Sequence, residues 1–223
     1  MGILNAIRSS YGALRVLSGL TKVINPFCRS FDRAENCAVR ACAPLPPGPI
    51  NGQGLGALAA LPYGAWRMGE NGCEVIAVYN ALLTLGKPQP LPEIAAALER
   101  GGLLFNGFGG TNLSAAAAYL RRQGVDVTVL RRRDRDRYDA ALSASDCAIL
   151  SYWTGAALRR PGGDWNTLHT VLIRRVPGGV EVFNSDNDRP TPRRAERVED
   201  FLRRLDGQPV CLFALKSVDK ALQ

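Results

Sequence analysis

The sequence predicts an α+β fold, with a helical half packed on a mostly antiparallel sheet. Apolar residues recur at three- and four-residue steps before Gly124, which indicates helices. Alternating segments rich in β-branched residues follow Gly124, and a Pro-Gly-Gly turn at 177–179 returns the chain antiparallel. This order is typical of α+β domains rather than of doubly wound ones. The 223 residues suit one full domain with an extension.

Residues 1–60 are predicted to form that N-terminal extension. Apolar residues spaced along one face indicate an amphipathic helix over 3–24. Prolines and glycines are frequent over 43–64, which we interpret as a connector without packed structure. The helix is expected to dock on the main domain at 61–223, to make weak contact with a membrane surface or a protein, or to cover a cleft.

The N-terminal stretch does not resemble a secretory signal. Asn5, Arg8 and Arg15 interrupt its apolar residues, whereas a signal needs a continuous apolar core. No apolar run approaches the roughly 20 residues of a membrane span. A cytoplasmic protein is therefore expected.

Three helices are predicted in the first half of the main domain. The first begins at Cys73 and ends near Leu85, because Gly86 can adopt a left-handed cap and Pro88 prevents continuation. The second follows Pro92 and stops at Gly101. The third runs from Thr111 or Asn112 to Gly124.

The second half is predicted to hold the sheet. Its segments alternate apolar and polar residues or form short apolar runs between turns, and two helical segments interrupt them. The predicted strands are 125–130, 147–153, 169–176, 180–184 and 209–215, and the predicted helices are 137–144 and 195–205.

The net charge of +8 favours anionic partners in general. The arginine-rich run 131–137 contains alternating aspartates and no aromatic residues for base stacking, so we interpret it as a solvated loop. No specific nucleic acid partner is expected. Cys28, Cys37 and Cys42 form no CxxC pair and have no histidine nearby, so a zinc site is not expected there.

Cys73 and the single histidine, His169, are the candidate reactive residues. A helix start carries partial positive charge and unpaired N–H groups, which lower a thiol pKa and stabilise an oxyanion. His169 opens a strand and could act as the base. The hairpin around 177–179 brings the next strand end back to it, so Asn184 and Asp186 are candidate orienting residues. Cys73 as a buried packing residue is the alternative.

A cysteine opening a long helix, a histidine in HTVLIRR and an asparagine in VEVFNSDN together resemble the papain-like cysteine peptidase superfamily. The segment Gly69–Gly124, with its Gly110-Thr111 turn, is most similar to the bacterial branch that processes double-glycine leaders of bacteriocins. The resemblance covers about residues 65–215.

The resemblance implies a thiol hydrolase acting on peptide or isopeptide bonds of a peptide or protein substrate, without a metal or an organic cofactor. Cys73 would be the nucleophile, His169 the base and acid, and Asn184 or Asp186 the orienting residue. Arg67 stands where the family carries an oxyanion-stabilising glutamine, so Asn71 or a backbone N–H would take that role. Trp153 and Trp165 would line a substrate groove.

Two other functions remain open at this point. If an amine or a thiol accepted the acyl group in place of water, the protein would be an acyltransferase, similar to transglutaminases or phytochelatin synthases. The missing glutamine favours a catalytically decayed, papain-like binding module.

Overall fold

The computed structural model describes residues 30–45, 47–107, 110–154 and 168–218. The helix predicted over 3–24 and the predicted groove residue Trp165 lie outside these ranges. Within them, helices and one large antiparallel sheet form an α+β fold, which confirms the predicted class. No helix in these ranges is long and apolar enough to cross a membrane.

The first part of the described chain is mainly helical. The three longer predicted helices form close to their expected positions, and Asn112 accepts a hydrogen bond from Ser114 N at the start of the third. The elements in chain order are α1 (Arg33–Ala41), α2 (Gly56–Ala60), β1 (Pro62–Tyr63), β2 (Trp66–Arg67), α3 (Met68–Asn71), α4 (Cys73–Thr84), α5 (Leu91–Gly101) and α6 (Leu113–Arg122).

The second part supplies the sheet. The predicted solvated loop at 131–137 is largely a 3-10 helix, Arg132–Arg137, without buried residues. The elements that follow α6 are β3 (Val125–Arg131), α7 (Tyr138–Ser143), β4 (Cys147–Trp153), β5 (Leu168–Val176), β6 (Gly179–Phe183), β7 (Arg193–Ala195), α8 (Val198–Arg204) and β8 (Gln208–Ser217).

The six strands of this sheet lie in the order β3-β8-β4-β5-β6-β7, and every neighbouring pair is antiparallel. Leu172 on β5 faces the core shared with α4, α5 and α6. Val171 and Ile173 face the opposite core, which α7 and α8 cover. Side chains of a strand alternate between faces, so β5 contributes to both layers. The start of β5 meets the start of α4, and the candidate site lies there.

The prediction that residues 43–64 lack packed structure is wrong. Ile50 and Asn80 exchange two hydrogen bonds of 2.8 Å, which attach this segment to α4. Gln53 and Leu58 are buried, and α2 and the β1–β2 hairpin form here. The segment packs because polar side chains elsewhere in the domain satisfy its backbone, which its own composition does not reveal.

Helix α1, absent from the sequence-based prediction, is fixed by a buried ion pair. Arg40 donates to both carboxylate oxygens of Glu99 at 2.7 and 2.8 Å, and neither side chain is exposed. Asn36 Nδ2 and Gly64 N also donate to Glu99 Oε1. One carboxylate on α5 thus holds both α1 and the β1–β2 hairpin.

Candidate active site

Cys73 is the first residue of α4, where this helix meets β5. The residue is half-buried, and its thiol receives hydrogen bonds from the backbone and hydroxyl of Thr170 and from the backbone of Glu74. Thr170 is buried, and its hydroxyl oxygen lies 3.0 Å from that of Ser151. The sulfur therefore lies beside the peptide unit that joins His169 to Thr170.

The local surroundings favour the neutral thiol. Burial raises the pKa of Cys73 to about 12, and the neighbouring Glu74 carboxyl adds to this rise. The backbone N–H of Glu74 at the helix start does lower this pKa, as predicted, and so do the hydrogen bonds from Thr170. Loss of hydration outweighs them, so the pKa is raised and not depressed. Burial also raises the pKa of Glu74 well above its ordinary value, and its Oε1 has no hydrogen-bond partner in the described part of the chain.

The His169 ring is fixed at the start of β5. Its Nε2 lies 2.6 Å from the backbone oxygen of Asn184. A carbonyl oxygen only accepts, so Nε2 carries the hydrogen and Nδ1 is the basic nitrogen of the neutral ring. The ring packs edge-to-face on Tyr152, with centroids 6.0 Å apart. Burial lowers the pKa of His169 below 6.5, although the Asn184 hydrogen bond and the Asp186 charge oppose this.

Asn184 is held by hydrogen bonds at each of its polar groups. It follows β6 in the left-handed region at φ 60°, which asparagine tolerates better than most residues. Its backbone N–H donates to Asn51 Oδ1 at 3.0 Å, and its carbonyl accepts from His169. Its side chain accepts from Gln53 N at 2.9 Å and donates to Gln53 Oε1 at 3.0 Å. The predicted orienting residue thus meets His169 through its backbone, whereas its amide binds Gln53.

The segment Asn51–Gly54, here called the clasp, lies directly against the loop after β6. A Cβ atom added to Gly52 (φ +69°) would lie 2.9 Å from Arg189 O, and one added to Gly54 would lie 2.8 Å from Asn187 O. Both positions therefore require glycine, since neither backbone can move away without breaking the contact. Sequence reasoning missed the clasp; its signal is a polar pair, Asn51 and Gln53, interleaved with two glycines.

The other predicted site residues have different contacts. Asn71 Nδ2 donates to Gly107 O at 2.6 Å. Asp186 forms a two-pronged ion pair with Arg193, at 2.6 and 2.7 Å, and acts on His169 through its charge. Trp153 ends β4 half-buried, and its Nε1 has no hydrogen-bond partner within the described ranges.

The Cys73 thiol and the His169 ring do not share a hydrogen bond in the described chain. Among the described residues, no group of three or more His, Cys, Asp and Glu side chains could hold a metal ion.

If Cys73 and His169 act as the sequence predicts, Gln53→Ala should lower kcat/KM about 10- to 100-fold, because a misplacement of ~1 Å near reacting groups can cost this much. The variant removes the acceptor of Asn184 Nδ2 but leaves the bonds from Gln53 N and to Asn51 Oδ1, so the Asn184 carbonyl that accepts from His169 is held less firmly. The Nε2–H proton resonance of the single histidine should be protected from exchange in the parent protein and broadened in the variant. Gln123→Ala, on the C-cap of α6, is the matched control. Unchanged His169 protection in Gln53→Ala would contradict the positioning role.

No model of a known protein family matches the chain, and no curated protein matches it. Among solved structures, it is similar to a double glycine motif protease from an AMS/PCAT transporter, crystallised in complex with the leader peptide. The identity is 13%, the TM-score is 0.42, and the match covers 66% of this chain and 84% of that chain. A similarity of this size establishes neither the fold nor the activity of this chain.

Proposed function

We propose that this protein is a papain-like thiol hydrolase that cleaves peptide or isopeptide bonds, with Cys73 as nucleophile and His169 as base and acid. The observation that carries the proposal is the hydrogen bond from His169 Nε2 to Asn184 O. This bond leaves Nδ1 as the basic nitrogen of the ring. The next residue, Thr170, donates a backbone hydrogen bond to the Cys73 sulfur, so His169 is one residue away from that contact.

The raised pKa of Cys73 and the lowered pKa of His169 favour a neutral pair at rest, not a thiolate and an imidazolium. His169 Nδ1 then removes the thiol proton as the sulfur attacks the carbonyl carbon, as a histidine does for a serine nucleophile. Backbone N–H groups at the start of α4 stabilise the oxyanion. The imidazolium gives its proton to the leaving amine, and water, deprotonated by the same ring, releases the acyl group and regenerates the thiol.

Incubation with a proteome-derived peptide library, with mass spectrometry of the new termini, tests this function. We expect cleavage products, and a thioester on Cys73 after acid quench. Because the pKa of His169 is lowered from 6.5, its basic form persists into mildly acid solution, and the midpoint of the acid fall in kcat/KM should lie below pH 6.5. A fall in kcat/KM with its midpoint above pH 6.5 would contradict the role of His169 as base. Cleavage products without a thioester on Cys73 would contradict its role as nucleophile.

A second function, a peptide-binding module without turnover, is favoured by the raised pKa of Cys73 and by the buried Glu74 carboxyl beside it. Both oppose formation of the thiolate. This function predicts that the library peptides bind to the protein but are not cleaved. It also predicts that Cys73→Ala binds them as tightly as the parent protein does.

A further inference from the structure

A cavity of about 210 Å³ lies beside the loop that carries Asp186, between β7 and α8. Arginine side chains dominate its lining, and the ring of Phe201 lies among them. We call this space the arginine cavity. Its four arginines are Arg189, Arg193, Arg194 and Arg204.

The carboxylates nearby neutralise only part of this charge. Arg193 pairs with Asp186, and Arg194 pairs with Glu181, which Arg174 also contacts. The remaining two arginines bind only neutral oxygen atoms within the described residues. Each of those contacts is a long hydrogen bond, 3.3 Å from Arg189 Nε to Thr191 Oγ1 and 3.2 Å from Arg204 Nη1 to the Arg194 carbonyl.

Neither guanidinium forms an ion pair with a carboxylate of the described chain, although Asp186 acts on Arg189 and Asp200 acts on Arg204 at longer range. Two guanidinium groups that share one concave space without a paired carboxylate favour an anionic ligand. The planar fork of arginine binds carboxylates and phosphates through two parallel hydrogen bonds, and such charge-assisted bonds are stronger than neutral ones. The volume is below the ~300 Å³ of a pocket for a whole small molecule, so it suits a single acidic group of a larger ligand.

The arginine cavity adjoins the candidate active site. Phe201 packs edge-to-face on Tyr152 at 5.6 Å between ring centroids, and Tyr152 packs on His169 at 6.0 Å. Arg193 holds Asp186, whose charge acts on His169. The loop 184–189 therefore links the two sites, because Asn184 accepts a hydrogen bond from His169 at one end and Arg189 lines the cavity at the other.

We propose that the arginine cavity is a subsite for a carboxylate side chain of the peptide substrate, so that this protein selects acidic peptides. The inference rests on the proposed hydrolase function. Arg189 and Arg204 bind the carboxylate, while Arg193 and Arg194 keep their partners Asp186 and Glu181. The excess of basic residues in the sequence also raises the association rate of acidic peptides by long-range electrostatic attraction.

Binding to the Cys73→Ala variant tests the subsite without requiring turnover. The probes are two fluorescein-labelled octapeptides, one with four glutamates and one with four glutamines in the same positions, measured by fluorescence anisotropy. The acidic peptide should bind at least about tenfold more tightly at 50 mM NaCl, and this preference should shrink at 300 mM because salt screens exposed charges.

In the same background, Arg189→Gln with Arg204→Gln should weaken binding of the acidic peptide about tenfold and leave the neutral peptide unchanged. The control pair, Arg133→Gln with Arg175→Gln, removes the same charge from exposed positions elsewhere and should change affinity less than about twofold. Circular dichroism and thermal unfolding of each variant separate loss of binding from loss of folding.

Equal binding of the two octapeptides, no binding of either, or equal losses in both double variants would overturn the subsite. Stabilisation by inorganic phosphate that depends on Arg189 and Arg204, without binding of the acidic peptide, would overturn the peptide assignment in favour of a phosphate ligand. Selective binding without hydrolysis by the parent protein would refute only the proposed function. Hydrolysis without a preference for acidic peptides would refute only the subsite.

Discussion

Replacing Cys73 by alanine should reduce the rate of peptide hydrolysis by about three orders of magnitude or more, because the variant lacks the sulfur that forms the acyl intermediate. His169→Ala should lose a similar amount, since a thiol with a pKa of about 12 is a weak nucleophile at pH 7 without a base. The double variant should be no slower than either single variant, because residues that act as one unit are strongly non-additive.

These rates are measured on one peptide selected from the library screen, with each variant checked for native circular dichroism. Cys42→Ala, at an exposed cysteine, controls for the loss of a thiol and should retain full activity. If Cys73→Ala and His169→Ala slow the reaction by amounts that add in the double variant, the two residues do not form one catalytic unit.

Glu99→Ala should lower the free energy of unfolding by about 3–5 kcal/mol, the usual loss when one partner of a buried ion pair is removed. The Arg40 guanidinium would remain at a fully buried position without its carboxylate, and Asn36 and Gly64 would lose an acceptor. Urea unfolding followed by circular dichroism measures the change.

The exposed Glu93→Ala on the same helix is the matched control and should cost less than about 0.5 kcal/mol. Arg40→Met combined with Glu99→Leu should be markedly more stable than Glu99→Ala, because the double variant leaves no buried charge. A Glu99→Ala protein as stable as the parent would show that this pair does not hold α1.

Local patterns were enough to predict the fold class and most long elements. Gly86 and Pro88 mark the end of α4, and the turn at 177–179 sets the β5–β6 hairpin with the expected antiparallel sense. Strand β7 was missed because Arg193–Ala195 has only three residues and two of them are charged. Helix α1 was missed because the partners that allow Arg40 to be buried, Glu99 and the Pro62 carbonyl, lie far from it in the sequence.

The candidate site was predicted less completely than the fold. The sequence indicated Cys73, His169 and Asn184, and their catalytic roles remain predictions. The contact of His169 with the Asn184 carbonyl, rather than with its amide, depends on a left-handed backbone fixed by the clasp. The pKa of Cys73 depends on burial by tertiary packing, which neither helix position nor residue type specifies.

The clasp also determines how much of the chain the proposed hydrolysis would require. A truncated protein starting at residue 61, the expected domain boundary, would retain Cys73, His169 and Asn184. It would lack Asn51 and Gln53, so the Asn184 N–H and amide would lose their acceptors and its carbonyl would no longer be fixed. Such a fragment would keep every reactive atom and still be a poor catalyst. Inactivity of a truncated protein would therefore be weak evidence against the proposed hydrolase function.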